Sequence, residues 1–329
     1  MNTTASTVSG KGRFSDISLK NVLIRNSMVL VLIVVIAYFT YRSARFATPD
    51  NFLTILVAAA PFALVALGQT LVILTGGIDL SVGSVIAASA MSAAFTAVRY
   101  PDQLWLSAVV AIAVGALVGL VNGLVISLLN VPPFVATLGT MTAASGLAYV
   151  IGNGAPINGV PTDYGNFANT AILGLTAPVI LMILGFVLIW FILKHTTFGL
   201  RVYAVGSNRN AATLAGVRTG SMLVRVYLIS GALAGLSGLM ISSRVISGAP
   251  SLGQGYELDA IAAVVIGGAS LFGGRGSIWG TLLGLLLIQT LNNGLDILVV
   301  PAYWQSIIKG GLIVAAVGID VWATRQRRP

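Results

Sequence analysis

LVILTGGIDLSVGS, residues 71–84, interrupts a very apolar sequence with a glycine pair and an acid. Apolar runs flank it on both sides, so the local reading is one buried helix that stops and a second that starts. Gly76 and Gly77 break a helix, because glycine loses the most backbone entropy there and adopts either sign of φ. Asp79 and Ser81 are residue types that cap the next helix by accepting from its free N–H groups. In lipid, a broken helix is tolerated only where its freed backbone groups face protein or a water-filled cavity. The stretch therefore predicts a joint beside a path across the membrane, built from Gly76, Gly77, Asp79 and Ser81.

The rest of the chain agrees with a membrane setting. Apolar residues make up 57% of the sequence and charged ones 8%, against roughly 25% charged in soluble domains. A soluble fold of 329 residues has no room to hide that much apolar surface. Cysteine is absent and His195 is the sole histidine, which excludes disulfides and thiolate sites and argues against a His-based metal centre. The net charge of +9 reads as loop lysines and arginines retained on the cytoplasmic side, not as a nucleic-acid surface.

Apolar runs close to the roughly 20 residues that span a bilayer fall at 24–41, 52–75, 80–98, 105–129, 133–151, 173–193, 222–243, 256–271, 277–295 and 304–322. The expectation is an all-α polytopic bundle of about ten spans. It has a tail at 1–26, one transmembrane domain at 27–322 with a loop at 194–221, and a second tail at 323–329. The first apolar run reads as an uncleaved signal anchor, since many spans follow it. With the N-terminus inside, twelve Lys and Arg fall on inner segments and four on outer loops, so both termini are expected in the cytoplasm.

Small residues recur every four positions at Gly115, Gly119 and Gly123, at Gly231 and Gly235, and at Gly280 and Gly284. Such ridges let helices approach closely in lipid. Tight packing within one subunit is the plainer reading and a subunit interface the other. GGIDL at 76–80 and GGASL at 267–271 each end an apolar span, a five-residue echo that chance also produces in so glycine-rich a chain.

The loop 194–221 is polar and basic, with a short helix-like piece at 208–215 that Ser207 or Asn208 would cap. Its small residues and flanking Gly206 and Gly216 suit a rigid helix lying against a partner. Glu257 and Asp259 begin a span near the outer face; they favour the helix dipole or contact an outside partner. Lys309 lies inside the last span, where it snorkels or pairs with Asp296 or Glu257. Gln69, Asn122, Asn292 and Asn293 are amides inside spans, residues that glue helices or face a pore. No Gly-x-x-x-x-Gly-Lys-Ser/Thr loop is present, so no ATP site is expected on this chain.

Four segments carry a specific resemblance: LTGGIDLSVGS at 74–84, VPPFVATLGTM at 131–141, YAVGSNRNAATLAGV at 203–217 and YELDAIAAVVIGGASLFGGRGSIWGTLLG at 256–284. With them the chain resembles the permease subunit of ATP-driven sugar importers of the ribose, xylose and arabinose type, within the group that holds branched-chain amino acid permeases. The resemblance implies a type II ABC importer permease in a bacterial inner membrane. It implies a cytoplasmic ABC ATPase partner that binds ATP and Mg, an extracytoplasmic sugar-binding protein whose rim meets Glu257 and Asp259, and a second permease copy, identical or sister. It also implies that Val205, Gly206, Ser207, Asn208, Arg209, Asn210, Ala211, Ala212, Leu214 and Gly216 form the helix that couples to the ATPase. Family members follow Gly-Gly-Asn with acids there, whereas this chain follows Ser207-Asn208 with Arg209-Asn210, which alters the expected charge pairing. The rival readings are an ion-coupled secondary transporter, for which Asp79 is the strongest acid, and a membrane scaffold.

Overall fold

A computed structural model describes residues 27–172 and 174–326. The tail expected at 1–26, and the end of the second one at 327–329, lie outside the described residues. The chain folds into α1 (Ser27–Arg42), α2 (Pro49–Leu74), α3 (Val82–Arg99), α4 (Trp105–Leu128), α5 (Pro133–Ile151) and the short α6 (Asn166–Asn169). A small antiparallel hairpin follows, β1 (Ala171–Ile172) and β2 (Leu175–Thr176). Then come α7 (Ala177–His195), α8 (Thr197–Ser207), α9 (Arg209–Leu214), α10 (Thr219–Val245), α11 (Tyr256–Ile266), α12 (Ile278–Ile297) and α13 (Ala302–Gln326).

Seven of these, α2, α3, α4, α5, α7, α10 and α12, are long and apolar enough to cross a membrane. The expectation of about ten spans therefore resolves into seven full-length helices, the 16-residue α1, the 25-residue α13 and the 11-residue α11. Every residue of α2 from Ala59 to Leu74 is buried, so its all-round apolar surface faces protein on every side. α10 is the central post, packed most extensively on α4 and also on α3 and α2.

The glycine ridges explain the α4–α10 contact. A Cβ on Gly115 would meet the Gly231 carbonyl, one on Gly119 the Tyr227 carbonyl, and one on Gly123 would lie 2.6 Å from Val224 Cα. The backbones thus touch directly, which only residues without a Cβ allow. Gly280 and Gly284 of α12 press in the same way on Gly267 and on Ala263 of α11. The glycine ridges pack within the subunit, as the plainer reading expected.

α11 starts where the run expected at 256–271 starts but stops at Ile266, because the left-handed Gly268 closes its end. Eleven residues rise about 16 Å, roughly half of a 30 Å hydrocarbon core. The chain before it, residues 246–255, is irregular and laid along α3. Gly248 packs against Ala90, Met91 and Ala94, and Gly253 against Ile86 and the Gly83 carbonyl. Backbone groups of this leg are satisfied locally: Gly248 exchanges hydrogen bonds with Ile157 (2.7 and 3.1 Å), Leu252 N–H donates to Ala249 O, and Tyr256 N–H donates to Gly253 O. The leg 77–81 before α3 is irregular too, and its Ile78 and Leu80 pack beside Ile261, Val264 and Val265 of α11. Each irregular leg therefore packs against the helix that the other leads into.

Candidate functional site

The joint after α2 begins with a left-handed glycine, Gly76 (φ +77°). Gly76 N–H donates to Ile73 O (2.9 Å) and Gly77 N–H to Val72 O (3.1 Å). α11 ends with the same motif: Gly268 (φ +89°) donates to Val265 O (2.8 Å) and Ala269 to Val264 O (3.1 Å). Both are Schellman closures, which satisfy the last carbonyls of a helix. The GGIDL and GGASL echo is thus a repeat of helix ends, shifted by one residue from its alignment in the sequence. The two ends dock: Gly274 N–H donates to the Leu74 carbonyl (3.0 Å), and Gly273 fits against Gly76 N.

Asp79 sits in the chain leaving this joint and is 1% exposed. One carboxylate oxygen accepts from Ser81 N–H (3.0 Å) and Ser81 Oγ–H (2.6 Å). The other accepts from Ser230 Oγ–H of α10 (3.2 Å). Ser81 Oγ accepts in turn from Asn122 Nδ2 of α4 (2.9 Å), and Asn122 Oδ1 accepts from Thr140 Oγ1–H of α5 (2.6 Å). With its amide oriented by this network, Gln69 of α2 donates to Asp79 O (3.2 Å) and accepts from Asp79 N–H (3.3 Å). Thr137 Oγ1–H reaches Ile78 O (3.3 Å). The expected helix cap is not what forms. Ser81 is the residue before α3 and caps it with no side-chain bond. Asp79 instead closes a local turn on Ser81, and its node ties together the joint, α2, α4, α5 and α10. The amides Gln69 and Asn122 are interhelical glue, as is Asn293, which exchanges two 2.9 Å bonds with Asn51. Asn292 Oδ1 is buried with no hydrogen-bond partner among the described residues.

The segment expected to couple to a partner lies at the same end of the molecule as the joints. α8 is capped by Thr196, whose Oγ1 accepts from Gly199 N–H (3.4 Å), and α9 by Asn208, whose Oδ1 accepts from Ala211 N–H (2.9 Å). The ten residues sort by direction. Val205 and Ala212 are buried against the bundle. Gly206 is wedged so closely that a Cβ would strike the Leu74 carbonyl and Gly274 N. Ser207, Asn208, Arg209, Asn210, Ala211, Leu214 and Gly216 are exposed, with Leu214 90% exposed at the tip. Tyr203 Oη–H donates to Gly276 O (3.1 Å), and burial raises that phenol above its ordinary value, which keeps it a donor. α8 therefore rests on both glycine joints at once.

Away from that end, a cavity of about 570 Å³ opens between the start of α3, the middle of α5 and the leg 250–257. Its lining includes Ser84, Thr142, Ser145, Gln254 and Glu257. Glu257 is half-buried, and its carboxylate lies against Gly83 in the first turn of α3. Asp259, on the other side of α11 from Glu257, holds Lys309 of α13 in an ion pair (3.0 Å). The sequence pointed to Asp296 or Glu257 for that lysine; Asp296 instead accepts from Gln305 (2.8 Å). Sequence reasoning missed the cavity. Its residues come from three distant segments, and the local sign was the density of Gly248, Pro250, Gly253 and Gly255, which no regular span would carry.

Residues 51–317 match the family described as branched-chain amino acid transport system / permease component. The ribose import permease protein RbsC of Bacillus subtilis (strain 168) is 43% identical over 88% of this chain and 91% of its own length. The ribose import permease protein RbsC of Escherichia coli (strain K12) is 40% identical over 96% of this chain and 98% of its own. The D-allose transport system permease protein AlsC of Escherichia coli (strain K12) is 35% identical over 88% and 89%. No solved structure matches the chain. This helical bundle, matched to one family along nearly all of its described length, belongs to the branched-chain amino acid transport system / permease component family.

Proposed function

We propose that this chain is the membrane subunit of an ATP-driven importer of a ribose-class monosaccharide in a bacterial inner membrane. The observation that carries the reading is 43% identity to a ribose import permease across 88% of the chain. In this reading a cytoplasmic ABC ATPase binds ATP and Mg and docks on the exposed face of α8 and α9. An extracytoplasmic binding protein delivers the sugar. A second copy of the permease, or a sister chain, completes the path, and both termini lie in the cytoplasm.

The wedge of α8 on the joints supports a route for coupling. A push on Leu214 and its neighbours reaches Gly206, and from there Leu74 at the end of α2 and Gly274 in the turn after α11. Differential contact of the ATPase with two arrangements of these joints would shift the population between them. The test is uptake of D-ribose into proteoliposomes holding the permease with its ATPase and delivery protein. Uptake should require ATP inside the ATPase compartment and survive a proton uncoupler. Collapse of uptake with the uncoupler would favour the ion-coupled transporter instead.

A further inference from the structure

Two observations single out the cavity between α3, α5 and residues 250–257. The first is backbone. Chain that is neither helix nor sheet is tolerated at membrane depth only against protein or water. Both irregular legs, 77–81 and 246–255, end here, so that α3 and α11 begin at the cavity. A short helix that starts inside the bundle, as α11 does, turns its N-terminal N–H groups and the irregular backbone before it toward such a space, an arrangement used at solute sites in transport proteins. The second is side-chain chemistry. Ser84, Thr142, Ser145 and Gln254 line the space beside one carboxylate, Glu257. An acid facing lipid is costly; Glu257 is instead half-buried at the start of α11 and lines this space.

We propose that this cavity is where a polyhydroxylated solute rests during its passage, with the Glu257 carboxylate accepting from its hydroxyls and Ser84, Thr142 and Ser145 exchanging hydrogen bonds with the rest. This deepens the sugar-importer reading and rests on it. The volume, about 570 Å³, lies within the range of about 300–1,000 Å³ typical of small-molecule sites. A hydroxyl donating to a carboxylate makes a stronger bond than one donating to a neutral oxygen. A single charge among neutral hydroxyls holds a sugar loosely enough to release it, as conduction demands.

The chain has no cysteine, so one introduced thiol reports on one place. Ser145→Cys is made in the assembled permease–ATPase complex in proteoliposomes and treated with a charged, hydrophilic methanethiosulfonate. Leu184→Cys on the exposed face of α7 is the comparison. Ser145→Cys should react at least tenfold faster, reaction should cut ATP-driven D-ribose uptake at least tenfold, and D-ribose with the delivery protein should slow the labelling. Equal rates at the two positions, or full uptake after labelling, would overturn the proposal. Glu257→Gln should lower D-ribose uptake at least fivefold while delivery-protein-stimulated ATP hydrolysis persists; unchanged uptake removes the carboxylate from the site. L-leucine uptake is measured alongside. A complex that moves L-leucine and not D-ribose overturns the sugar reading and the polyol assignment with it. One that moves D-ribose with a silent Ser145→Cys overturns the cavity assignment alone.

Discussion

At the residue scale, Asp79 and Tyr227 make opposite tests of what a buried polar atom is worth. The Asp79 carboxylate satisfies Ser81 twice and Ser230 once. Asp79→Ala orphans those donors, each at about 1–3 kcal/mol, and should lower the thermal midpoint of the detergent-solubilised protein sharply. Asp79→Asn keeps one accepting oxygen for Ser81 and lets the Ser230 hydroxyl turn to accept from the new amide, so its midpoint should stay close to the parent's. A large loss in Asp79→Asn would mean that the negative charge itself is required. Tyr227 Oη is buried beside Gly77 with no hydrogen-bond partner among the described residues. Tyr227→Phe removes an unsatisfied group, so it should leave the midpoint unchanged or raise it slightly, by up to about 1 kcal/mol. A fall of that size would reveal a partner, such as a buried water.

At the scale of elements, contact between backbones decides two outcomes. Gly206 has no space for a Cβ between the Leu74 carbonyl and Gly274. Gly206→Val should displace α8 from both joints and leave ATP hydrolysis running without D-ribose uptake. Leu214→Asp, at the exposed tip of α9, should instead weaken capture of the ATPase in a pull-down while the permease itself stays folded. If both variants give the same phenotype, α8 and α9 do not divide the work as their contacts suggest. Gly119→Val drives a branched side chain into the Tyr227 carbonyl across the α4–α10 contact. Overpacking of this kind costs about 1–3 kcal/mol or more, and the readout is yield and thermal midpoint in detergent. Gly139→Ala on α5 is the control, because nothing lies within 4 Å of a Cβ there.

For the whole molecule, the Lys309–Asp259 pair ties the last helix to the half-helix α11. The side chains are 27% and 18% exposed, so removal of one partner should cost about 1–3 kcal/mol, less than for a fully buried pair. Lys309→Met with Asp259→Asn should recover part of the loss of either single change. A double-mutant cycle on the thermal midpoint checks this, and strict additivity would mean that the two groups do not interact. Orientation is a property of the whole chain as well. A reporter fused after Pro329 should read as cytoplasmic, because basic residues crowd the segments placed inside.

The local features of this protein were legible in its sequence, because they are written in adjacent residues. Hydropathy marked the helices. The glycine pair at 76–77 marked the joint, and Asn208 was one of two named caps for α9. The ridge of Gly115, Gly119 and Gly123 announced close helix packing through its spacing alone. What escaped depended on residues far apart in the chain. Asp79 was read as a cap because capping is a short-range bond, whereas Ser230, its partner on α10, stands 151 positions away. The sequence offers Lys309 the interface, Asp296 or Glu257, because only the bundle brings Asp259 beside it. Hydropathy runs past the end of α11 because the turn after Gly268 is apolar and partly buried, and hydropathy does not separate helix from such chain. Burial against lipid and helix-end chemistry act on neighbouring residues, so sequence alone determined a polytopic α-helical protein with a glycine joint. The docking of the two joints, the seat of α8 on them and the polar cavity at the starts of α3 and α11 were decided only by the tertiary structure, because each is made by backbone and side chains that meet after the helices have packed.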